Sequence, residues 1–386
     1  MSRLGRILAN AGLALASLAV ACVLGELFFR FVVPASDYPA MDYGGEVIRY
    51  APGQSGVYRM RDEIAAPYRI NAQGWNANRP RYVPDKPAGA RRVAIVGDSY
   101  VEGFQVPVDG SLAEQLEALP GAAKLEVYRF GVSGAPFSHY LWMAEREALR
   151  YRPDVLVFNL VHNDFDESIR PLPGRYSSAF MTLAVESGRI AGERPPGVPR
   201  PQWTDTLMRS AALRYLRFNR QVTLGAIYAA LGIAAPRRSD DIALPPPDPG
   251  VPGAAPGKEG APGLPTVDAN VEIARVLARP QLIEGAIDYM VGRAAAIGRS
   301  GNCRVLLLMD GARQAIYEGR DSRALRLNAL VAAAAGRHGV GFVDLHPLFA
   351  AAWQRDHQHF DFPHDGHWNM RGHALAARAI RDWIDR

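Results

Sequence analysis

The stretch VAIVGDSY, residues 93–100, decides the fold that we predict for this chain. Its first four residues are apolar and mostly β-branched, which is typical of a strand buried on both faces of a parallel sheet. Gly97 and Asp98 favour a turn directly after the strand, and Ser99 follows them. We therefore expect Ser99 at the carboxyl edge of a parallel sheet, where open α/β sheets bind their ligands.

Four more short apolar runs repeat the strand pattern, at residues 125–130, 154–160, 304–309 and 341–345. Helical patterns at 111–119 and 140–151 separate the first three strands, and another at 372–385 ends the chain. Alternation of strands with helices is typical of α/β folds. The sequence thus predicts a doubly wound parallel sheet of five strands.

The N-terminus carries a long apolar run, residues 7–33, preceded by Arg3 and Arg6. It is long enough for a transmembrane helix, and Glu26 and Arg30, one turn apart near its end, are spaced to form an ion pair. Positive charge before the span favours a cytoplasmic N-terminus, so most of the chain is expected outside the cytoplasm. We expect a single-pass signal anchor.

Two alternatives to an anchor stay open: a cleaved signal peptide, and a lipoprotein signal that ends at Cys22. The apolar residues that continue past Cys22 favour the anchor. The only other cysteine is Cys303, so neither a disulfide nor a thiolate metal site is expected.

Composition divides the remainder of the chain. We expect an irregular or β-rich preface at 34–90, packed on an α/β domain at 91–386. An insertion at about 166–271 contains a run rich in Pro and Gly, 243–265, which is too poor in apolar residues to order itself. Further helices are predicted at the edges of this insertion, over residues 205–231 and 270–298.

The charge pattern argues against a nucleic-acid partner. The 386 residues carry a net charge of +5, but the basic residues are scattered and follow no nucleic-acid-binding motif. No cofactor motif was recognised, and a substrate of small-molecule or carbohydrate size is the expected partner.

The segment DGHWN, residues 365–369, lies just before the last predicted helix. Residues two apart in an extended segment point to the same side, so Asp365 is placed to orient His367. A serine hydroxyl becomes a good nucleophile only with a base beside it and a group that orients the base. Ser99, His367 and Asp365 are therefore the candidate catalytic residues.

Two more segments follow the second and third strands: FGVSG at 130–134 and VHND at 161–164. A glycine N–H in the first segment and the side-chain amide of Asn163 in the second are hydrogen-bond donors at the same predicted sheet edge. With the N–H of Ser99 they form a candidate oxyanion hole for the tetrahedral intermediate of acyl transfer.

At these residues the chain resembles the SGNH (GDSL-like) hydrolase superfamily, and among its members the membrane-anchored bacterial ones. The four family blocks occur in the family's order, at residues 97–99, Gly134, Asn163 and His367. The resemblance implies a three-layer α/β/α sandwich with a flavodoxin-like sheet of five parallel strands. It also implies a nucleophilic Ser99, a basic His367, and Gly134 and Asn163 as oxyanion donors. Together with the N-terminal anchor, it leads us to expect a bacterial inner-membrane protein whose catalytic domain is periplasmic.

Two positions depart from the family pattern. Val161 replaces the glycine of the third block, although Asn163 can still donate. The acid usually stands three residues before the histidine, where this chain has His364. Asp365 stands two before, as in alginate O-acetyltransferase-like relatives, and Asp361 is the fallback for the acid.

The resulting hypothesis is a serine esterase for O-acyl esters, acetyl esters first among them, on envelope carbohydrate. An O-acyltransferase with the same residues and an idle membrane-tethered binding module are alternatives.

A phosphate site at residues 97–103 is disfavoured by the carboxylates of Asp98 and Glu102. The histidines near the C-terminus raise a metal-site alternative, but they lack a metalloprotease pattern; they are His357, His359, His364 and His373.

Overall fold

The computed structural model describes residues 2–171, 177–197, 206–222, 269, 271 and 273–386. The described strands are β1 (Met41–Asp42), β2 (Arg49–Tyr50), β3 (Ser55–Met60), β4 (Ile64–Arg69), β5 (Ala90–Gly97), β6 (Lys124–Gly131), β7 (Val155–Leu160), β8 (Thr182–Glu186), β9 (Arg189–Arg194), β10 (Arg304–Met309), β11 (Gly341–Asp344), β12 (Asp361–Phe362) and β13 (Asp365–Trp368).

The described helices are α1 (Arg3–Phe31), α2 (Ser99–Glu102), α3 (Leu112–Ala118), α4 (Phe137–Arg146), α5 (Asp164–Glu167), α6 (Ala211–Arg214), α7 (Ile273–Leu277), α8 (Pro280–Ser300), α9 (Arg313–Glu318), α10 (Leu325–His338), α11 (His346–Asp356) and α12 (Met370–Ile384). The chain divides into two compact units. Among the described residues, one comprises 2–38, 56–66 and 206–222, and the other comprises 39–55, 67–171, 177–197, 269, 271 and 273–386.

The larger unit is built on a five-stranded sheet in the order β11-β10-β7-β5-β6, with all pairs parallel. The chain runs from β5 to one neighbour, β6, and then returns to the other side of β5 as β7. That reversal is the topological switch point of flavodoxin-like sheets, and ligands bind outside the carboxyl ends of strands there. The predicted α/β class and the five parallel strands are confirmed.

Helices cover both faces of this sheet. Helices α2, α3, α11 and α12 share one apolar cluster with residues of β5, β6, β7 and β10, including Ile95 and Leu308. On the opposite face, α8 contacts both α4 and α10, and each of the three helices contacts strands of the sheet. Because both faces are covered, the strands carry continuous apolar runs, and that is the pattern from which they were predicted.

The part of the preface within the larger unit packs on β6 through aromatic residues. Tyr82 stacks on Tyr128 with ring centroids 4.0 Å apart, and Trp75 meets Phe130 edge to face at 5.3 Å. Trp75 is fully buried.

The smaller unit contains α1, which exposes its apolar side chains and has no buried residue. Its length and composition suffice for crossing a membrane. The predicted pair forms, since Arg30 donates to Glu26 at 2.6 Å. The other oxygen of the Glu26 carboxylate accepts from the hydroxyl of Ser210 at 2.8 Å, which joins α1 to the segment before α6.

Two predicted helices differ from the structure. The helix expected at 205–231 is interrupted before α6, where the Ser210 side chain caps the new helix by accepting from the Leu213 N–H at 3.3 Å. The helix expected at 270–298 is divided into α7 and α8, because Pro280 has no N–H to continue the first helix. The run at 243–265 lies outside the described residues, and a hairpin of β8 and β9 occupies part of the predicted insertion.

Candidate active site

Ser99 begins the short helix α2 directly after β5, at the carboxyl edge of the sheet. Asp98 caps this helix, because its carboxylate accepts the N–H of Tyr100 at 2.9 Å. The helix lies so close to β6 that a Cβ on Gly131 would stand 2.2 Å from the backbone nitrogen of Glu102. Ser99 is only 7% exposed, so the turn holds its hydroxyl in a recess rather than on the open surface.

His367 on β13 contacts both other candidate catalytic residues. Its Nε2 lies 2.7 Å from the hydroxyl oxygen of Ser99, and its Nδ1 lies 2.5 Å from a carboxylate oxygen of Asp365. A carboxylate only accepts, so Nδ1 carries the proton, and Nε2 of the neutral ring accepts from the Ser99 hydroxyl. The structure therefore brings Ser99, His367 and Asp365 into one hydrogen-bonded chain.

The pKa shifts of His367 and Asp365 suit a role for His367 as the base. Burial lowers the pKa of His367, but the hydrogen bond and charge of Asp365 outweigh it, so the net shift is upward. Burial raises the pKa of Asp365, and the hydrogen bond from His367 reverses this, so the net shift is downward. Asp365 thus stays ionised and stabilises the imidazolium that forms when His367 takes a proton.

The carbonyl of Gly366, between the acid and the base, is held by two donors. The Tyr100 hydroxyl donates to it at 2.8 Å, and the guanidinium of Arg313 also donates to it. Arg313 in turn donates to the Tyr100 oxygen at 3.0 Å. These hydrogen bonds fix the position and orientation of the strand that carries His367.

Asp310 supports this arrangement from the end of β10. Nη1 of Arg313 lies 2.7 and 2.6 Å from the two carboxylate oxygens of Asp310, and both side chains are buried. The indole N–H of Trp368, the residue after His367, donates to Asp310 at 3.0 Å. The pair therefore anchors the histidine strand on both sides of His367.

The loop after β6 carries Gly134, whose φ of 73° favours glycine. A Cβ built there would meet nothing within 4 Å, so the space beside Gly134 is open. The backbone N–H groups of Ser99 and Gly134 have no hydrogen-bond partner among the described residues. Both donors are available to a bound group.

Glu102 holds this loop in place. Its carboxylate accepts the N–H of Ser133 at 3.1 Å, and the hydroxyl of Tyr50 donates to the same oxygen. Burial raises the pKa of Glu102 to about 7, partly offset by these two hydrogen bonds.

Asn163 lies after β7 and just before α5, on the other side of β5 from the glycine loop. One N–H of its amide donates to Glu167 at 2.8 Å, which orients the side chain and leaves the second N–H for a ligand. Burial raises the pKa of Glu167 to about 7.

The fallback acid, Asp361, faces elsewhere. Its oxygens lie 3.3 Å from Nε of Arg313 and 3.5 Å from Nδ1 of His359.

Sequence reasoning missed Arg313 and Asp310, although Asp310 directly follows β10 at the same sheet edge as the other site residues. Extending the strand-end argument to that fourth strand would have found Asp310.

Solved structures with a similar fold share little sequence with this chain. A lipolytic G-D-S-L family member from Veillonella parvula is 12% identical and covers 77% of this chain and 99% of its own, with a TM-score of 0.38. A lipase/acylhydrolase from Enterococcus faecalis is 13% identical, covering 76% and 95%, with a TM-score of 0.37. The acetylxylan esterase Axe2 from Geobacillus stearothermophilus, solved as a catalytic mutant, is 12% identical, covering 77% and 94%, with a TM-score of 0.37.

No curated protein matches the chain. The model of the GDSL-like lipase/acylhydrolase family matches residues 95–375, well over half of the chain. This match spans the turn at Ser99, the loops at Gly134 and Asn163, and the strand of His367. The chain therefore belongs to the GDSL-like lipase/acylhydrolase family, and it is a hydrolase that acts on ester bonds.

Proposed function

We propose that this protein is a serine esterase that removes O-acyl groups, acetyl in particular, from carbohydrate of the bacterial envelope. The observation that carries this proposal is the hydrogen-bonded chain from Ser99 through His367 to Asp365, with distances of 2.7 and 2.5 Å. The burial of Ser99 favours a small acyl group, because a small group can reach the hydroxyl with little rearrangement of the surrounding residues.

In this mechanism the Ser99 oxygen attacks the ester carbonyl while Nε2 of His367 takes the hydroxyl proton. The N–H groups of Ser99 and Gly134 and the amide of Asn163 stabilise the oxyanion. The intermediate collapses when His367 returns the proton to the leaving alcohol oxygen, which leaves the acyl group on Ser99. Water, deprotonated by His367, then attacks the acyl-enzyme, and His367 returns this proton to the Ser99 oxygen as the bond to the acyl group breaks and the carboxylic acid leaves.

We further propose that residues 7–33 anchor the protein in the inner membrane as a single span, with the α/β domain on the periplasmic side. The apolar surface of α1 and the position of Arg3 and Arg6 in its first turns, ahead of the apolar run, support this orientation. An envelope location brings the site to acylated polysaccharide.

The test is turnover of p-nitrophenyl acetate, butyrate and octanoate by the full-length protein in detergent, beside Ser99→Ala. The proposal predicts the highest kcat/KM with acetate and loss of at least about a thousandfold in kcat for Ser99→Ala. Undiminished turnover by Ser99→Ala would contradict the serine mechanism.

An O-acyltransferase remains the second candidate, because the acid stands two residues before the histidine. Adding an acetylated or unacetylated oligosaccharide distinguishes the two. An esterase releases free acetate from the acetylated form in the absence of an acceptor. A transferase instead moves the acetyl group of p-nitrophenyl acetate to the unacetylated oligosaccharide, releasing p-nitrophenol and forming new acetyl esters, and an idle binding module gives neither.

A further inference from the structure

The smaller unit contains a cavity of about 340 Å³ that the esterase chemistry does not use. Three segments surround it: Val33 and Pro34, which follow α1; the turn between β3 and β4; and residues 215–220. The cavity thus lies where the chain leaves its apolar helix.

Asn219 holds the three segments together. Its side-chain oxygen accepts the N–H of Ser36 at 2.8 Å, and its main-chain oxygen accepts the N–H of Arg61 at 2.9 Å. Asn219 is buried. The hydrogen bonds of Asn219 therefore connect the segments that line the cavity.

Arginines dominate the charge of the cavity. Arg59, Arg61 and Arg220 line it together with a single carboxylate, Asp62. Nε of Arg59 is buried and has no hydrogen-bond partner. Within the described residues none of these arginines forms an ion pair. Three guanidinium groups with one carboxylate leave an excess of positive charge and unused N–H donors.

The segment that contributes Arg220 also exposes apolar side chains, those of Leu213, Leu216 and Val222. Such a combination of exposed apolar side chains and arginines is typical of segments that lie in the interface of a bilayer. The helix that ends beside the cavity is the candidate membrane span.

We propose that this cavity binds the phosphate group of an anionic phospholipid in the leaflet where α1 leaves the membrane. Arginine matches phosphate with paired N–H donors, and Arg59, Arg61 and Arg220 line the cavity without an ion-pair partner among the described residues. The adjoining leucines then contact the acyl chains. The proposal rests on α1 as a membrane span and is independent of the esterase reaction.

The test uses the full-length protein in dodecyl maltoside micelles, with bound lipid counted by native mass spectrometry. Dihexanoyl phosphatidylglycerol, dihexanoyl phosphatidylcholine and inorganic phosphate are titrated separately. We expect phosphatidylglycerol to bind at least about tenfold tighter than phosphatidylcholine, and Arg61→Ala and Arg220→Ala each to weaken it about tenfold. Arg378→Ala, a change at an exposed arginine of α12, is the matched control and should bind like the wild type.

Equal affinity for both lipids, or unchanged affinity in Arg61→Ala and Arg220→Ala, would overturn the proposal. Inorganic phosphate that binds as tightly as phosphatidylglycerol would also overturn it, since the cavity would then be a site for free phosphate. Esterase turnover of each variant checks its folding. Carbonate extraction of native membranes tests the span itself, so failure of the anchor is distinguished from failure of the lipid site.

Discussion

Arg313 donates a hydrogen bond to the carbonyl of Gly366, the residue that separates Asp365 from His367. The bond joins the start of α9 to the strand that carries the proposed acid and base. Arg313 is itself held by Asp310, so the position of the imidazole depends on a buried ion pair behind it. Neither charged residue touches Ser99 in this arrangement, and we infer that both act by positioning.

Arg313→Lys tests that role. Lysine keeps the charge beside Asp310 but cannot reach Asp310, Tyr100 and Gly366 together, because it lacks the planar fork of guanidinium donors. We expect kcat to fall by roughly 10- to 100-fold with little change in KM, since a small displacement of a catalytic group costs about that much. Arg320→Lys, at a partly exposed position just after α9, is the control. An unchanged kcat in a folded Arg313→Lys protein would refute the positioning role.

The acid limb of the pH profile reports on His367. The base must be neutral, and Asp365 raises its pKa above the ordinary 6.5, so kcat/KM should fall as the pH drops through a value above 6.5. Asp365→Asn removes the raising contact. The limb should then move to lower pH, together with a large fall in kcat. A limb that stays in place would show that Asp365 does not set the protonation of His367.

Glu102 should make folding stability depend on pH. Its pKa of about 7 in the folded protein exceeds the ordinary 4.5, so the folded state binds more protons between these values. Stability contributed by protonated Glu102 is therefore lost as the pH rises from about 5 to about 8, by roughly 2–4 kcal/mol. Glu102→Gln keeps an oxygen for Tyr50 and Ser133 but does not titrate. Urea unfolding at pH 5 and pH 8 should show a smaller loss in this variant, whereas an identical loss would contradict the assignment.

Two glycines beside the site should respond differently to alanine. At Gly131 the new Cβ would meet the Glu102 nitrogen at 2.2 Å, so helix α2 must move. We expect more than about 3 kcal/mol of destabilisation and a loss of activity. At Gly134 the Cβ meets open space, and only the φ of 73° is unfavourable, at about 1–2 kcal/mol. Equal unfolding free energies for the two variants would contradict the structure.

The sequence allowed the sheet and the main site residues to be predicted for a physical reason. Strands buried on both faces carry continuous apolar runs, and parallel strands end at one edge, so strand order placed Ser99, a glycine of residues 130–134 and Asn163 together. The resemblance to the family then selected Gly134. The hydrogen bond between Asp365 and His367 followed from their spacing in an extended segment.

Other features depend on contacts that no local pattern encodes. Tyr50 meets Glu102 across 52 residues, and Arg313 meets Gly366 across 53, so both pairings require the folded chain. The interrupted helices are different, because Pro280 was visible in the sequence and marks the division between α7 and α8. The prediction of one helix over 270–298 did not take Pro280 into account.

The most direct test of the central claim is covalent labelling of the full-length protein with a fluorophosphonate, followed by peptide mass spectrometry. Activation of Ser99 by His367 predicts one adduct, on Ser99, in the wild type. It also predicts no adduct in Ser99→Ala and labelling slowed by at least about a hundredfold in His367→Ala. An adduct on another residue, or equally fast labelling of Ser99 in His367→Ala, would contradict the account.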